Sequence, residues 1–151
     1  MSQYPQIHGY TITALLGRGG MATVSAATQL AVEREVAIKV VDLEDEEAAG
    51  QYVLRFENEA HSLARLRHPN IVGLYDYGRT AGGLPYYVMP LLEGGDLSCW
   101  PRPVPEQKVL ALLDSLLDAL GHAHEAGIIH RDIKPENILF DGDGRPLLAD
   151  F

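Results

Sequence analysis

The chain has 151 residues, enough for one domain that buries roughly 70 per cent of the surface its unfolded state exposes, and its 46% hydrophobic and 22% charged composition excludes disorder throughout. Twelve Lys+Arg against 21 Asp+Glu give a net charge of −9 without a basic stripe, which argues against a nucleic-acid surface, because phosphate contacts need clustered cations. Cys99 is the only cysteine, so an intramolecular disulfide and cysteine-based zinc are excluded, and a reducing compartment fits best.

Residues 1–9 read as a polar leader without the basic-then-apolar layout of a signal peptide. No apolar run is long enough to cross a bilayer, so the expectation is a soluble, cytoplasmic chain with no membrane segment. Tyr10 to Leu16 is rich in β-branched and aromatic residues and predicts a strand running into Gly17-Arg18-Gly19-Gly20, with Val24 to Thr28 pairing back. Strand, glycine turn, strand is the arrangement of a flap over phosphates, since a backbone without Cβ can approach an oxygen closely and take positive φ. Val36 to Val41 predicts a buried strand containing one charge, Lys39. Period-two geometry puts Ala37 and Lys39 on one face and Val36, Ile38 and Val40 on the other.

A lysine so placed needs a partner. The acidic run Asp42-Leu43-Glu44-Asp45-Glu46-Glu47 reads as a solvated loop and helix start. From Glu46 to Arg67 a helical stripe runs through Phe56, Ala60, Leu63 and Arg67, widened by Leu66. Glu59 falls on its buried side and Glu57 outside it, which makes Glu59 the expected partner of Lys39. His68-Pro69 ends the helix. Ile71 to Gly78 and Leu84 to Leu91 predict two further strands, completing a five-stranded antiparallel lobe, and Glu93 to Pro105 an irregular connector. Glu106 to Glu125 predicts a helix with Pro105 in its first turn and a stripe of Val109, Leu113, Leu116, Leu117 and Leu120. His122 and His124, two apart, point to different faces and are read as packing or surface residues rather than metal ligands. Asp141-Gly142-Asp143-Gly144 reads as a hairpin turn.

The last stretch, HRDIKPENILFDGDGRPLLADF from His130 to Phe151, carries the chemistry. It gathers an aspartate (Asp132), a lysine two residues on (Lys134), an asparagine (Asn137) and, after the hairpin, Asp150-Phe151. This order and spacing resemble the catalytic loop and metal-binding segment of protein kinases. The upstream parts follow in the family's order. Gly17, Gly19, Ala22 and Val24 match the template GxGxxGxV with alanine for the third glycine, VAIK is present as Val36 to Lys39, and Tyr86-Tyr87-Val88-Met89 leads into a hinge-like Pro90-Leu91-Leu92.

The resemblance implies an α+β, protein-kinase-like fold, with an N-lobe over residues 10–89 and a hinge and partial, mainly helical C-lobe over 90–151. It implies ATP as cofactor with Mg2+ (Mn2+ as a substitute) and a protein substrate bearing Ser or Thr. The flap (Gly17, Arg18, Gly19, Gly20, Ala22, Val24) would cover the phosphates, Lys39 held by Glu59 would set them, and Ala37, Met89, Pro90, Leu92 and Leu139 would line the adenine site. Asp132 would take or orient the hydroxyl proton, Lys134 would neutralise the transferred group, and Asn137 and Asp150 would hold the metal. DIKPEN points to serine/threonine rather than tyrosine, and the flap and VAIK strand look most like the bacterial branch. The family domain continues past Asp150-Phe151, so the chain alone is expected to be inactive and to self-associate through C-lobe surface left uncovered. The alternative is a non-catalytic nucleotide- or partner-binding module.

Overall fold

The computed structural model describes residues 4–20, 22–42 and 46–151. Leu43, Glu44 and Asp45 of the acidic run and the first three leader residues lie outside the described residues. The chain divides into two compact units, one formed by Met1–Ala64 with Leu74–Leu91, the other by Arg65–Gly73 with Leu92–Phe151.

In the first unit, β1 (Tyr10–Arg18), β2 (Ala22–Gln29), β3 (Arg34–Val41), β4 (Asp76–Arg79) and β5 (Pro85–Pro90) form a five-stranded antiparallel sheet in the order β1-β2-β3-β5-β4. The alternation read in β3 is realised. Val36, Ile38 and Val40 are buried with Ala27, Tyr86, Val88 and Ile7, while Ala37 and Lys39 occupy the opposite face. Burying each of these aliphatic side chains contributes about 1.5–3 kcal/mol relative to exposure, so a charge at Ile38 would remove the centre of the core.

The sheet is strongly curved. Flat, its edge strands would stand about 19 Å apart, yet the Tyr10 hydroxyl on β1 donates to Asp76 Oδ2 on β4 at 3.1 Å. Tyr10 also meets the Tyr86 ring edge-on at 6.4 Å. Burial first, and then the Asp76 carboxylate, push the Tyr10 hydroxyl up to about 12. The segment before β1 reinforces the closure: Ala81 N–H donates to Gln6 O at 3.1 Å, and Leu30 N–H to Gly9 O at 2.9 Å.

Helix α1 (Glu46–Arg65) stops two residues short of the expected Arg67; of the expected stripe Phe56 and Ala60 are buried and Leu63 half-buried, and beyond the helix end Leu66 is buried while Arg67 is exposed. The ranking of its two acids differs from expectation. Glu57 is the half-buried one, paired with Arg79 at 3.3 Å, and Glu59 is exposed. A long arginine on β4 reaches the flank that the helical wheel left outside. The chain leaves the helix through His68, whose Nδ1 accepts from Asn70 N–H at 3.1 Å.

The strand expected over Ile71 to Gly78 is confined to Asp76–Arg79. The backbone ahead of it is engaged in the second unit, where Leu148 N–H donates to Asn70 O at 2.8 Å and Val72 N–H to Leu148 O at 2.9 Å. Those groups are satisfied by a chain segment far away in sequence, which no local pattern reveals.

The second unit contains α2 (Glu106–Glu125) and a hairpin of β6 (Ile138–Phe140) and β7 (Pro146–Leu148). The limits of α2 are those expected, but its buried line is Leu112, Leu116, Ala119 and Ala123. Of the predicted stripe Leu116 is buried and Leu120 packs against the core, whereas Val109, Leu113 and Leu117 are exposed, Leu117 by 66%. The inward line thus closes with the small side chains of Ala119 and Ala123, while Leu113 and Leu117 face outward. Leu112 and Leu116 pack on Ile138, Phe140 and Leu148, and Trp100 stacks on Phe140 at 4.9 Å.

The connector is irregular as expected except for a 3-10 turn, Leu97–Cys99, capped by Asp96, whose Oδ1 accepts from Ser98 N–H at 2.8 Å. Gly94 is required by close approach: a Cβ there would lie 2.6 Å from the carbonyl oxygens of Phe140 and Asp141. The Asp141–Gly144 turn forms as read, with Asp141 Oδ1 accepting from Asp143 N–H at 3.0 Å and Arg145 N–H at 2.9 Å. His122 packs against the His68 ring at 5.3 Å.

Candidate active site

The second unit holds Asp132, Lys134, Asn137 and Asp150, and His130 is bonded on both sides of that set. It is buried, at 4% exposure, on a loop otherwise open to water. Its Nδ1 accepts from Asp132 N–H at 3.2 Å and its Nε2 faces Ala149 O at 2.6 Å. An N–H can only donate and a carbonyl can only accept, so the ring is the neutral tautomer with its proton on Nε2. One side chain therefore fixes the backbone at Asp132 and at Ala149. The Phe151 ring meets His130 edge-on at 4.6 Å, so Asp150 lies between two residues that are both anchored on the histidine. His130 lies outside the set of residues expected to carry the chemistry; the signal available in the sequence was a titratable residue following the apolar Ile128-Ile129 pair.

Asp150 and Arg131 have positive φ, 59° and 70°. Such backbone costs on the order of 1–3 kcal/mol and persists where the surroundings over-determine it, most often at active sites. For Asp150 the surroundings are the Ala149 carbonyl bond to His130 and the Ala149 N–H bond to Asn137 O, 2.9 Å. Asn137, 4% exposed, directs its Nδ2 to Asp132 O at 2.9 Å and to Asp132 Oδ2 at 3.2 Å. That use of the nitrogen leaves the amide oxygen as the hard donor Asn137 can offer.

Lys134 Nζ stands 3.1 Å from the same Asp132 Oδ2, and both side chains are exposed. The Lys134 hydrogen bond is the largest cause holding the Asp132 carboxyl below its ordinary range, and the same bond raises Lys134, with Asp150 adding to that effect. Asp132, Lys134 and Asn137 are thus brought together, and Asp150 lies next to Ala149, which is bonded to Asn137. Oxygens from Asn137 and Asp150 fit a magnesium ion that takes one or two protein ligands and fills its remaining positions with phosphate and water. Leu139 is half-buried in β6, where Asp96 bridges it, and Leu92 is half-buried.

In the first unit Gly17 and Arg18 end β1, Gly19 N–H donates to Ala22 O at 2.8 Å, and Ala22 and Val24 begin β2. None of Gly17, Gly19 and Gly20 takes positive φ, and a Cβ at Gly17 or Gly20 would meet open space. What these glycines provide is uncovered backbone. Pairing across the sheet aligns Val24 with Lys39, Lys39 with Tyr87, and Tyr87 with Tyr77, while Ala37 aligns with Met89 and Val36 with Pro90. Directly opposed residues share a face, so Val24, Lys39, Ala37 and Met89 form one surface opposite the core. Burial first, and then the Glu59 carboxylate, raise the Tyr87 hydroxyl above its ordinary value.

A curved five-stranded sheet with one helix, a glycine turn before a strand lysine, and an HRD loop tied to a following DF pair define a class. Residues 10–151 match the protein kinase domain, and the chain belongs to that family. It is 42% identical over 147 residues to the serine/threonine-protein kinase PknL of Mycobacterium tuberculosis, covering 94% of this chain and 36% of PknL. It is 39% identical over 145 residues to the serine/threonine-protein kinase PrkC of Bacillus subtilis, covering 94% of this chain and 22% of PrkC. The crystal structure of the Mycobacterium tuberculosis PknI kinase domain superposes with a TM-score of 0.81 at 31% identity, covering all of this chain and 62% of that one. The chain thus spans about a third or less of the length of these curated relatives.

Proposed function

We propose that the chain is the nucleotide-binding and catalytic-loop part of a serine/threonine protein kinase that transfers a phosphoryl group from ATP to a protein hydroxyl. The observation that carries this reading is Asp132, whose carboxylate is held by Lys134 and Asn137 on a loop fixed from beneath by His130. Phosphoryl transfer needs positioning and neutralisation of charge more than covalent chemistry. An Asp132 held below the ordinary carboxylate range stays ionised near neutrality and can accept the hydrogen bond of an incoming serine or threonine hydroxyl, orienting its oxygen. Lys134, charged beside it, offsets negative charge on the transferred group.

In the first unit, the uncovered backbone of Gly17 to Gly20 and the half-buried Lys39 are suited to the nucleotide phosphates, and Ala37 and Met89 to an apolar base. Pro90, next to Met89, is suited to the same base, and Leu92 and Leu139, in the second unit, are apolar residues of the kind a base packs on. Pro90 has no N–H and can offer only its carbonyl, while Leu92 offers an N–H. Mg2+, or Mn2+ in its place, would be held by the Asn137 amide oxygen and the Asp150 carboxylate, and would shield the phosphate charges.

The partners of this reading are ATP, a protein bearing Ser or Thr, and a second copy meeting the exposed apolar face of α2; its place is the cytoplasm, where ATP is plentiful. The test is phosphate transfer from Mg-ATP to a serine/threonine protein substrate by the kinase and by its Asp132→Asn variant, with ATP binding measured for both. Loss of transfer with binding retained supports the assignment, and undiminished transfer by Asp132→Asn overturns it.

A further inference from the structure

The row Val24–Lys39–Tyr87–Tyr77 crosses four strands on the face opposite the core, and its last two members reach α1. The Tyr87 ring stacks on Phe56 at 4.1 Å with an interplanar angle of 22°, and its hydroxyl donates to Phe56 O at 3.4 Å. Tyr77 OH lies 3.1 Å from His61 Nε2, its ring edge-on to the histidine at 5.6 Å. Arg79, on the same strand as Tyr77, pairs with Glu57 at 3.3 Å. α1 thus meets β4 and β5 through a seam in which Tyr87 stands directly beside Lys39 in the register. Phe56 is held by both a ring stack and a bond to its carbonyl, so the rotation of α1 is fixed at that point of the seam.

We propose that Tyr87 is a positioning residue for the nucleotide site: by clamping Phe56 it fixes α1 against the strand row in which it stands directly beside Lys39. A tyrosine suits this task because one side chain supplies both a broad stacking face, which opposes sliding of the helix, and a hydroxyl, which fixes its rotation by bonding a single carbonyl. Burial and the Glu59 carboxylate both raise the Tyr87 hydroxyl, so it remains a neutral donor throughout the neutral range. An aliphatic residue at this place would fill volume without fixing rotation. The inference rests on the reading of Lys39 as the phosphate-facing residue.

The experiment is a double-mutant cycle on Mg-ATP affinity, measured by calorimetric titration of the chain, with thermal unfolding recorded for every variant. Tyr87→Phe keeps the stack and removes the hydroxyl, and should weaken ATP by about threefold, the worth of one net hydrogen bond. Tyr87→Leu removes the clamp and should weaken it by about tenfold. In a Lys39→Met background both losses should shrink below about twofold, because Tyr87 acts through that lysine; a merely structural role would leave them unchanged. Should Tyr87→Leu fail to fold, Tyr87→Phe decides. Unaltered affinity in Tyr87→Phe, or a loss that persists with Lys39→Met, overturns the proposal. If Lys39→Met alone leaves affinity intact, the reading of Lys39 falls and this inference falls with it, an outcome distinct from a normal Lys39 effect with an inert Tyr87.

Discussion

Asn137 is joined to Asp132 twice, its Nδ2 donating to the main-chain oxygen at 2.9 Å and to the carboxylate at 3.2 Å. The buried amide therefore holds the loop as well as presenting an oxygen to a cation. Asn137→Ala should do two separable things: destabilise the second unit by about 2 kcal/mol through lost hydrogen bonds in a buried place, and abolish transfer by the kinase even at temperatures where it remains folded. Chemical denaturation read beside the transfer assay separates the two effects.

The contact of Lys134 with Asp132 has a definite pH signature. The folded Asp132 value lies below the ordinary 3.8, so the contact stabilises the loop above that pH and is lost as pH falls through the lowered value. From the lysine side it is present below 10.5 and lost as pH rises through the raised value. Carbon-detected NMR titration of the Asp132 carboxyl should give a midpoint below 3.8, returning toward it in Lys134→Met. A midpoint indifferent to that substitution would show that the lysine does not hold the carboxylate.

Gly94 tolerates no side chain where it stands. A Cβ would lie 2.6 Å from two carbonyl oxygens, and these belong to backbone that cannot swing aside. Gly94→Ala should cost about 1–3 kcal/mol through overpacking, visible as a lowered unfolding midpoint, whereas Gly142→Ala, where a Cβ meets nothing within 4 Å, should cost little.

The outer face of α2 exposes Val109, Leu110, Leu113 and Leu117. Replacing Leu113 and Leu117 with Glu should leave stability within about 0.5 kcal/mol, as for surface positions generally, and shift the chain toward monomer in analytical ultracentrifugation. A strongly destabilised double variant would mean that this face is covered within one copy.

Much of this architecture was legible because local signals agreed with one another. β3 announces itself by alternation around Lys39, α2 by its periodicity and by proline at its start, and the chemistry of the loop by its resemblance to the protein-kinase catalytic loop. What was hidden depended on partners distant in sequence. Ile71 and Val72 look like strand residues, but Leu148 engages their backbone. Leu113 and Leu117 look like core, but Ala119 and Ala123 occupy the tight side of α2, and alanine is a weak sign of burial. His130 is polar by type and buried by circumstance, so only the two bonds of its ring reveal that it joins Asp132 to Ala149.

The hydroxyl of Tyr10 on the Asp76 carboxylate works as a drawstring for the first unit. A sheet with two free margins can unravel from either one independently, and each margin is a template on which another chain can pair. Lacing β1 to β4, with the segment before Tyr10 bonded to the turn after β4, makes the two margins a single event. Amide protons of both strands should become exchangeable together, and shortening the chain at its start would loosen a strand more than sixty residues away.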